Sequence, residues 1–346
     1  MVIGAGLSGA TVARVLAEAG YKVTVMDKRS HVAGNAYDCI NEFGIRVHHY
    51  GPHLFHTSNM RVVKWLSRFT SWIEYRHFVK AALQDGRLVP FPVNKKTLEI
   101  VRQEDILDTF YRPYTTKMWG VPFDQVAQST IDRVKVRSDD CDDYFPNDLF
   151  QGVPQNGYTE MVKNILDHDL IDVYLNKNAN LNAVSTFKHV FNSSAIDQFF
   201  QYRYGHLPYR SIKFHHHNIP VPSALPVVSV VLFTDNSPFT RMTEWKNLPG
   251  HGSNSQMTTI TVEEPCDYKD NNFERYYPVR DRNGVNVAIY RKYKKLVPAN
   301  MTFIGRLGNY AYIDMDQAVS SALAVARSFV RANDSILNRG SIGDSL

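Results

Sequence analysis

Cysteine is scarce in this chain of 346 residues. The three cysteines, Cys39, Cys141 and Cys266, are far apart and odd in number. A small secreted domain held by disulfides carries a denser and even set, and a structural zinc site needs closely spaced pairs. The sequence therefore predicts neither a disulfide framework nor a cysteine metal site, and it suits a reducing cytoplasm.

Long apolar runs and blocks of one charge are also lacking. No stretch approaches the roughly 20 apolar residues that cross a bilayer, so we expect no membrane span. The net charge is only +5 and no dense Lys/Arg block occurs, which argues against nucleic-acid binding. We expect Lys292, Lys294 and Lys295 to lie on a solvated helix face. The consecutive histidines 215–217 would alternate between the two faces of a strand, so we expect no metal site there.

The clearest motif is a glycine-rich turn between a strand and a helix at the start of the chain. Gly4, Gly6 and Gly9 follow the apolar residues 1–3 with GxGxxG spacing, and helical periodicity then runs to Gly20. Such glycines permit a tight turn, close approach of the backbone to a pyrophosphate, and close packing of helix on strand. Only three residues precede Gly4, so we expect the natural chain to begin earlier.

An acidic residue in the expected place supports a dinucleotide site. Asp27 ends the next strand, 18 residues after Gly9, where a carboxylate can bind the ribose hydroxyls of an adenosine. The following basic residue Lys28 and the second glycine turn at Gly34 and Asn35 resemble FAD-binding oxidases and mutases. We therefore expect FAD, bound non-covalently. Near the C-terminus, Arg306 and Asp314 lie between a strand and a helix that could approach the flavin.

The order of the elements predicts an α/β protein with a discontinuous Rossmann-like FAD-binding domain. With 44% hydrophobic and 21% charged residues, the composition is that of a globular enzyme with two or three lobes. We assign residues 1–72, 157–200 and 296–334 to the FAD domain and 95–131 to a reduced helical lobe. Residues 73–94, 132–156 and 201–295 are expected to form an antiparallel sheet that serves the substrate. We also predict helices over 95–111, 158–167 and from residue 315 onwards.

Eight segments of the chain, in the same order, resemble the UDP-galactopyranose mutase family. Apart from one shortened region, the resemblance runs from residue 1 to about 330. No single segment is decisive, but eight in order are hard to obtain by chance. They are residues 49–57, 114–120, 150–158, 195–200, 209–214, 239–241, 275–279 and 305–315.

The resemblance implies an isomerase that interconverts UDP-galactopyranose and UDP-galactofuranose. In this family N5 of reduced FAD attacks the anomeric carbon and expels UDP, the sugar opens and recloses through another hydroxyl, and UDP returns. NAD(P)H or another external reductant primes the flavin. The product would feed the synthesis of cell-surface polysaccharide, and the enzyme would be cytoplasmic, either a monomer or a homodimer.

The same resemblance implies the roles of individual side chains. Arg137 and Arg241 match the pair that grips the pyrophosphate, as a guanidinium can do bidentately. His56 is a candidate for proton transfer, and His53 is expected to lie beside the flavin. The expected substrate-binding residues are Tyr114, Trp119, Phe150, Tyr277, Arg306, Tyr312 and Asp314. The expected cofactor-binding residues are Gly4, Gly6, Gly9, Asp27, Lys28, Gly34, Asn35, His53, Arg306, Asp314 and Met315.

Three departures from the family keep other functions open. Phe150 stands where the family usually has Tyr, Asp27 where it commonly has Glu, and the stretch between Asn94 and Trp119 is markedly shorter than in bacterial members. The alternatives are a mutase for UDP-N-acetylgalactosamine or UDP-arabinopyranose, or an oxidoreductase of the amine oxidase type. A homologue that binds a nucleotide sugar without catalysis is the third. An oxidase would not need the two arginines, Tyr114 and Trp119.

Overall fold

A five-stranded parallel sheet joins the beginning, the middle and the end of the chain. The computed structural model describes residues 1–128, 136–179, 184–225, 228–252 and 254–340. All four pairings of this sheet are parallel. The strands, in sheet order, are Ile171–Tyr174, Val23–Met26, Val2–Ile3, Val190–Asn192 and Met301–Phe303. Their chain order confirms the discontinuous Rossmann-like fold that the sequence predicts.

Helices cover both faces of the parallel sheet. Successive residues of a strand point to opposite faces, and accordingly Val2 packs into one buried cluster and Ile3 into another. The first cluster includes apolar residues of the helices Leu7–Glu18, Gly157–Leu166 and Met315–Gly340. The second includes residues of Ile196–Phe199 and Val285–Lys294. In the latter helix Lys292 and Lys294 are exposed, as expected of a solvated face, and so is Lys295 just after it.

A seven-stranded sheet forms the second layer of the molecule. One of its six pairings, between Val79–Ala82 and Val230–Phe233, is parallel, and the other five are antiparallel. The parallel join lies where strands from two distant parts of the chain meet, so no tight hairpin dictates their direction. The strands, in sheet order, are Tyr277–Pro278, Tyr209–Ile219, Thr258–Asp267, Arg241–Glu244, Val230–Phe233, Val79–Ala82 and Leu88–Phe91.

Two smaller sheets and several short helices complete the described part of the chain. Asp38–Ile40 pairs with Arg46–His48, and Phe150–Pro154 pairs with both Phe55–Thr57 and Trp72–Glu74. The strand Phe150–Pro154 therefore belongs to a sheet with strands of residues 55–74 and not to the seven-stranded sheet. The remaining short elements are Gly34–Ala36, Met60–Leu66, Phe123–Gln125, Trp245–Asn247, Tyr268–Asp270 and Gly305–Gly308.

The helical lobe is broken into shorter pieces than the sequence predicts. Instead of one helix over 95–111, the chain forms Lys95–Leu98, a 3₁₀ turn Gln103–Asp105, a π-helical turn Leu107–Tyr111 and the helix Arg112–Trp119. Pro113 at the start of this last helix has no amide hydrogen for the carbonyl of Thr109, which disfavours regular α-helical bonding at the join. Residues 129–131 of the predicted lobe lie outside the described residues.

None of the helices within the described residues is both long and apolar enough to cross a bilayer. Nor do the described His, Cys, Asp and Glu side chains include a group of three or more placed to hold a metal ion. Within the histidine run 215–217, His215 pairs with Glu264 at 2.8 Å and His216 with Thr261 at 2.7 Å. Cross-strand bonds therefore account for these two histidines.

Candidate functional site

The glycine turn after the first strand is shaped by close backbone packing. Gly4 has φ +97°, and a Cβ there would lie 2.0 Å from Oγ of Ser193. A Cβ on Gly9 would lie 1.9 Å from the carbonyl oxygen of Gly4, so this glycine lets the helix Leu7–Glu18 approach the strand. A Cβ on Gly34 would lie 3.1 Å from Cα of Gly6. The two glycine turns therefore face each other backbone to backbone, and side chains at these positions would disrupt them.

Asp27, at the end of the strand Val23–Met26, stabilises the glycine turn through hydrogen bonds. Its Oδ2 accepts a hydrogen bond from the backbone N–H of Ala5 at 2.7 Å, and its Oδ1 accepts from the N–H of Arg29 at 2.9 Å. The side chain is only 8% exposed. Each carboxylate oxygen has a second lone pair, so the group can still accept from a ligand hydroxyl. This is the chemistry that a ribose requires.

A cavity of about 720 Å³ extends from this turn to the C-terminal helix. Its size suits a large organic ligand. Leu7 and Ser8, at the N-terminus of one helix, and Met315 and Ala318, at the start of another, contribute to its wall. Helix N-termini favour anions such as a pyrophosphate. The predicted cofactor residues in its wall are Gly4, Gly6, Asp27, Lys28, Gly34, Asn35, His53, Arg306, Asp314 and Met315; Gly9 lies behind the wall.

His53 contributes a neutral imidazole to the cavity wall. Its Nδ1 lies 2.8 Å from the carbonyl oxygen of Gly51, which can only accept, so Nδ1 carries the proton and Nε2 is an acceptor. Burial lowers the pKa of His53 to about 4, and the positive charges of Arg306 and Arg241 lower it as well. His53 therefore stays uncharged at neutral pH, and its electrostatic contact with both arginines joins the cavity to the cluster beyond it.

Four aromatic side chains and two arginines lie together beyond His53. The ring centroids of Tyr277 and Tyr312 are 5.3 Å apart, and Trp119 lies 6.3 Å and 6.2 Å from them. The charge of Arg241 acts on the hydroxyls of both Tyr114 and Tyr277. Residues that are up to 198 positions apart in sequence thus form the aromatic–arginine cluster: Tyr114, Trp119, Arg241, Tyr277, Arg306 and Tyr312.

Burial keeps the tyrosine hydroxyls of this cluster protonated. It raises the pKa of Tyr277 to about 12 and that of Tyr114 further, although Arg241 opposes the shift in both. A protonated phenol donates a hydrogen bond, whereas a phenolate would repel an anion. The two hydroxyls are therefore suited to a phosphate or another anionic ligand.

Arg241 is held by an acidic residue of the neighbouring strand. Its Nε lies 2.6 Å from Oε1 of Glu263, whose side chain is 2% exposed. Burial raises the pKa of Glu263, and Arg241 opposes this. Burial also lowers the pKa of Arg241, but the charge of Glu263 and other neighbours outweighs it, so the pKa is raised and the guanidinium stays charged. The shortest contact of this ion pair is made at Nε of Arg241 rather than at its two terminal nitrogens. An arginine oriented in this way can bind a phosphate bidentately.

Arg306 serves mainly as a support. Its guanidinium donates to the carbonyl oxygen of Ile313 at 2.7 Å and to that of Tyr276 at 3.3 Å. The same group lies 5.4 Å from the ring centroid of Tyr277 and 5.0 Å from that of Tyr312. Arg306 thereby fixes both tyrosines and places a positive charge on the cavity wall.

Two cations fix the helix that carries Tyr114 and Trp119. Nζ of Lys117 donates to the carbonyl oxygens of Phe233, Asp235 and Phe239 at 3.0, 3.0 and 2.7 Å. Arg210 donates from Nε to Met118 O at 2.9 Å and from Nη2 to Lys117 O at 3.0 Å, which satisfies carbonyls at the end of the helix. The helix is thereby attached to the seven-stranded sheet at two points.

Three predicted site residues make their contacts with residues outside this cluster. Arg137 donates to the carbonyl oxygens of Asp143 and Cys141, within its own loop. The side chain of His56 pairs with Asp148 at 2.6 Å and stacks on Phe145, with 3.5 Å between ring centroids, and it does not line the cavity. The ring of Phe150 packs against Phe55 and Trp72 at the edge of the first buried cluster.

Tyr144 and His77 are two residues that the sequence reasoning did not select. Their rings are 5.7 Å apart, the charge of Arg241 acts on His77, and Tyr144 interacts electrostatically with Tyr114. Burial is the main cause that lowers the pKa of His77, to about 3. Tyr144 thus places a phenol near the cluster, where Phe150 had been expected to lie. The sequence feature that could have indicated Tyr144 is the aromatic pair Tyr144-Phe145, which directly follows the acidic residues 142–143.

The chain is similar in sequence to known proteins. The sequence model of the UDP-galactopyranose mutase family matches residues 109–312, and an NAD(P)-binding Rossmann-like domain matches residues 2–69. The chain is 32% identical to UDP-galactopyranose mutase of Mycoplasma pneumoniae, with 96% of each protein covered. It is also 32% identical to dTDP-fucopyranose mutase of Escherichia coli, with 96% of this chain and 98% of that protein covered.

The fold is similar to a solved structure as well. The crystal structure of a reduced UDP-galactopyranose mutase superimposes with a TM-score of 0.76 at 15% identity, covering 96% of this chain and 93% of the other. At this level of identity the likeness concerns the fold. The Rossmann-like match over residues 2–69 covers the glycine turn and Asp27 in the wall of the 720 Å³ cavity, which supports a dinucleotide cofactor there.

Proposed function

The chain belongs to the UDP-galactopyranose mutase family, and we propose that it interconverts UDP-galactopyranose and UDP-galactofuranose with FAD in the 720 Å³ cavity. One observation carries the proposal: the cavity wall leads through His53 and Arg306 directly to Arg241 and the aromatic cluster. A dinucleotide and a nucleotide sugar would meet at that junction. Function still depends on chemistry at the site, because a fold alone supports many reactions.

The residues of the cavity fit FAD. Asp27 can bind the adenosine ribose, and the glycine turns with the N-terminus of the helix Leu7–Glu18 can receive the pyrophosphate. Asn35, His53, Asp314 and Met315 would surround the flavin end. When bound and reduced, FAD supplies a nucleophile, its N5 atom, for the anomeric carbon of the sugar.

The chain's own part in the reaction is to hold the leaving group and the sugar. Arg241 would bind the diphosphate as it departs and keep it near for return, with hydroxyl donors from Tyr277 and Tyr312. Tyr114 would stack on the uracil, and Trp119 would cover the sugar. Holding UDP in place makes the return step effectively intramolecular.

Arg137 is proposed as the second diphosphate ligand. Its guanidinium donates to the carbonyl oxygens of Cys141 and Asp143, which holds the side chain against its own loop. Residue 143 directly precedes Tyr144, which lies at the edge of the cluster. His56 is proposed only as a support for Phe145, because its Nδ1 is paired with Asp148. Proton transfer at the sugar is assigned instead to groups on the cavity wall, Asp314 and His53.

A mutase for another nucleotide sugar is the second candidate. This chain is as similar to the dTDP-fucopyranose mutase of Escherichia coli as to the UDP-galactopyranose mutase of Mycoplasma pneumoniae, at 32% identity to each. Because the first of these relatives is named for a thymine nucleotide and a different sugar, the similarity favours this second candidate. UDP-N-acetylgalactosamine and UDP-arabinopyranose belong to the same class of substrate. The amine-oxidase alternative has less support, since it gives no role to Arg241 and its buried partner Glu263.

Product analysis on the purified flavoprotein tests the proposal. The protein, reduced with dithionite, is incubated separately with UDP-galactofuranose, UDP-arabinopyranose, UDP-N-acetylgalactosamine and dTDP-fucopyranose, and the nucleotide sugars are separated by chromatography. We expect the galactose pair to interconvert fastest. Faster conversion of another nucleotide sugar would mean that this sugar, rather than galactose, is the substrate. No conversion of any sugar by reduced, FAD-loaded protein would refute the mutase function.

A further inference from the structure

A pair of buried histidines lies directly behind the cavity wall and is not used by the proposed reaction. His48 is fully buried and His251 is 2% exposed. Their Nε2 atoms are 2.8 Å apart although the residues are 203 positions apart in sequence. The ring of Trp245 lies 4.9 Å from that of His48, and the ring of Tyr158 lies 5.6 Å from it. The pair is therefore fixed from several sides.

The partners of the pair allow one arrangement of protons. The backbone N–H of His53 donates to Nδ1 of His48 at 3.0 Å, so this nitrogen carries no proton. Nδ1 of His251 lies 2.9 Å from the carbonyl oxygen of Pro249, which only accepts, so this nitrogen is protonated. The proton between the two rings then belongs to Nε2 of His48. An uncharged chain of three hydrogen bonds results, from the His53 backbone to Pro249.

This series of hydrogen bonds ends at the turn 51–53, which lies between the cavity and the aromatic–arginine cluster. Gly51 has φ +84°, and a Cβ on it would lie 3.1 Å from Oε1 of Glu263, the partner of Arg241. His53, two residues later, lines the cavity and donates from its ring back to Gly51. The turn 51–53 thus lies beside both the cavity and the carboxylate that orients Arg241, and a shift of the turn would change the surroundings of both.

We propose that His48 and His251 are positioning residues: their hydrogen-bonded pair holds the turn 51–53, and with it the His53 ring, against the flavin end of the cavity. Neither histidine touches the cavity itself, since neither belongs to its wall. The inference rests on the proposed function only in taking the cavity as the flavin site. Small displacements of a positioned group reduce rates by up to about a hundredfold.

Substitutions of His48 separate positioning from simple stability. His48→Asn places an amide oxygen close to the site of Nδ1, so it can still accept from the His53 N–H. His48→Gln retains a polar group near Nε2 and loses that acceptor, and His48→Leu loses both. His251→Leu breaks the chain one step further from the cavity. His189→Gln is the matched control, because His189 is half-buried and bonded to Thr302 at 2.9 Å outside the cavity wall.

The readouts are the visible absorption spectrum and reduction potential of the bound flavin, the kcat, and the thermal melting temperature. We expect His48→Leu and His48→Gln to shift the spectrum and the potential and to lower kcat by about tenfold or more. His48→Asn keeps the acceptor for the His53 N–H but loses the bond to His251, so it should change all three less than Leu or Gln does. His251→Leu should change them in the same direction as His48→Leu, and His189→Gln should leave them unchanged. If His48→Leu does not fold, the comparison of Asn with Gln decides.

Two results would overturn the proposal. One is a lower melting temperature in the Leu and Gln variants with the spectrum, potential and kcat of the wild type, which indicates a purely structural pair. The other is a His251→Leu variant whose spectrum, potential and kcat match the wild type, because the bond between the two histidines would then have no part in holding the turn. If wild-type protein binds flavin but isomerises no nucleotide sugar, the proposed function fails while the spectrum and potential still test the pair.

Discussion

At the scale of single residues, the ion pair between Arg241 and Glu263 decides what the site can bind. A buried carboxylate costs free energy unless it is paired, so Glu263 is explained by the guanidinium that it orients at 2.6 Å. An arginine held in this way presents its charge in a fixed direction without losing further side-chain entropy on binding. The arrangement suits a group that must be grasped and released repeatedly, as a diphosphate is in the proposed reaction.

Replacement of Arg241 by alanine should greatly slow turnover and leave the flavin bound. Loss of one charged phosphate contact removes a few kcal/mol of transition-state stabilisation, so kcat/KM should fall by about a hundredfold or more. The dinucleotide turn does not involve this residue, and FAD content measured from absorbance should match the wild type. Arg203→Ala, at an exposed position, is the control. Loss of FAD from Arg241→Ala would contradict the assignment.

At the scale of elements, the short helix Arg112–Trp119 has to be held in place from outside. An eight-residue helix has little stability of its own, so the bonds from Lys117 and Arg210 to backbone carbonyls supply it. Burial lowers the pKa of Lys117 and of Arg210. The helix presents Tyr114 and Trp119 from a fixed position, which suits a site formed before the substrate binds.

Arg210→Met should therefore weaken substrate binding more than it slows the chemical step. The substitution removes two bonds at the end of the helix, which are worth about 1.5–3 kcal/mol each when the donor is charged, and it lets Tyr114 and Trp119 move. We expect KM to rise on the order of tenfold, with a smaller fall in kcat, in initial-rate measurements. Arg203→Met is the matched control. An unchanged KM with lower kcat would show that the helix serves a different step.

Local patterns explain which elements could be predicted from the sequence. The turn at Gly4, the helix after it and the acid Asp27 all lie within 27 consecutive residues, and each has a local chemical signature. The π-helical turn before Pro113 and the parallel join in the large sheet depend on partners that local periodicity does not reveal. These features became visible only with the tertiary structure.

The candidate site was predictable only in part. The cofactor residues follow from the fingerprint, whereas Tyr114, Trp119, Tyr277 and Tyr312 could be assigned through the family resemblance alone, because an isolated aromatic is more often core. Which phenol reaches the cluster depends on how residues 143–154 fold. The structure places Tyr144 near Tyr114 of the cluster and packs the ring of Phe150 against Phe55 and Trp72. The His48–His251 contact spans 203 positions and left no trace in local sequence.

At the scale of the whole molecule, buried uncharged histidines make the fold sensitive to acid. Burial is the main cause that lowers the pKa of His53 and His251 to about 4 and that of His77 to about 3, below the usual value of 6.5. In the unfolded chain these groups take up protons below about pH 6.5, while in the folded protein they do so only near pH 3–4. The free energy of unfolding should therefore decrease as the pH falls from about 6.5 to about 4.

Urea unfolding of the flavin-loaded protein, followed by tryptophan fluorescence, measures this dependence. Each histidine contributes a slope of up to ~1.4 kcal/mol per pH unit inside that window, and little above pH 7.5. Arg203→Gln, at an exposed position and without a group that titrates between pH 4 and pH 7.5, should leave the profile unchanged. A midpoint that stays constant from pH 7 to pH 5 would contradict the account of these histidines as buried and neutral.

In the proposed function, the flavin of this protein acts on a nucleotide sugar without being consumed as a redox partner. The most direct test counts, under anaerobic conditions, the moles of dithionite oxidised against the moles of UDP-galactofuranose converted to UDP-galactopyranose. We expect no conversion before reduction, and many conversions for each reducing equivalent afterwards. Consumption of one reducing equivalent for each sugar converted, or equal conversion by the oxidised protein, would contradict it.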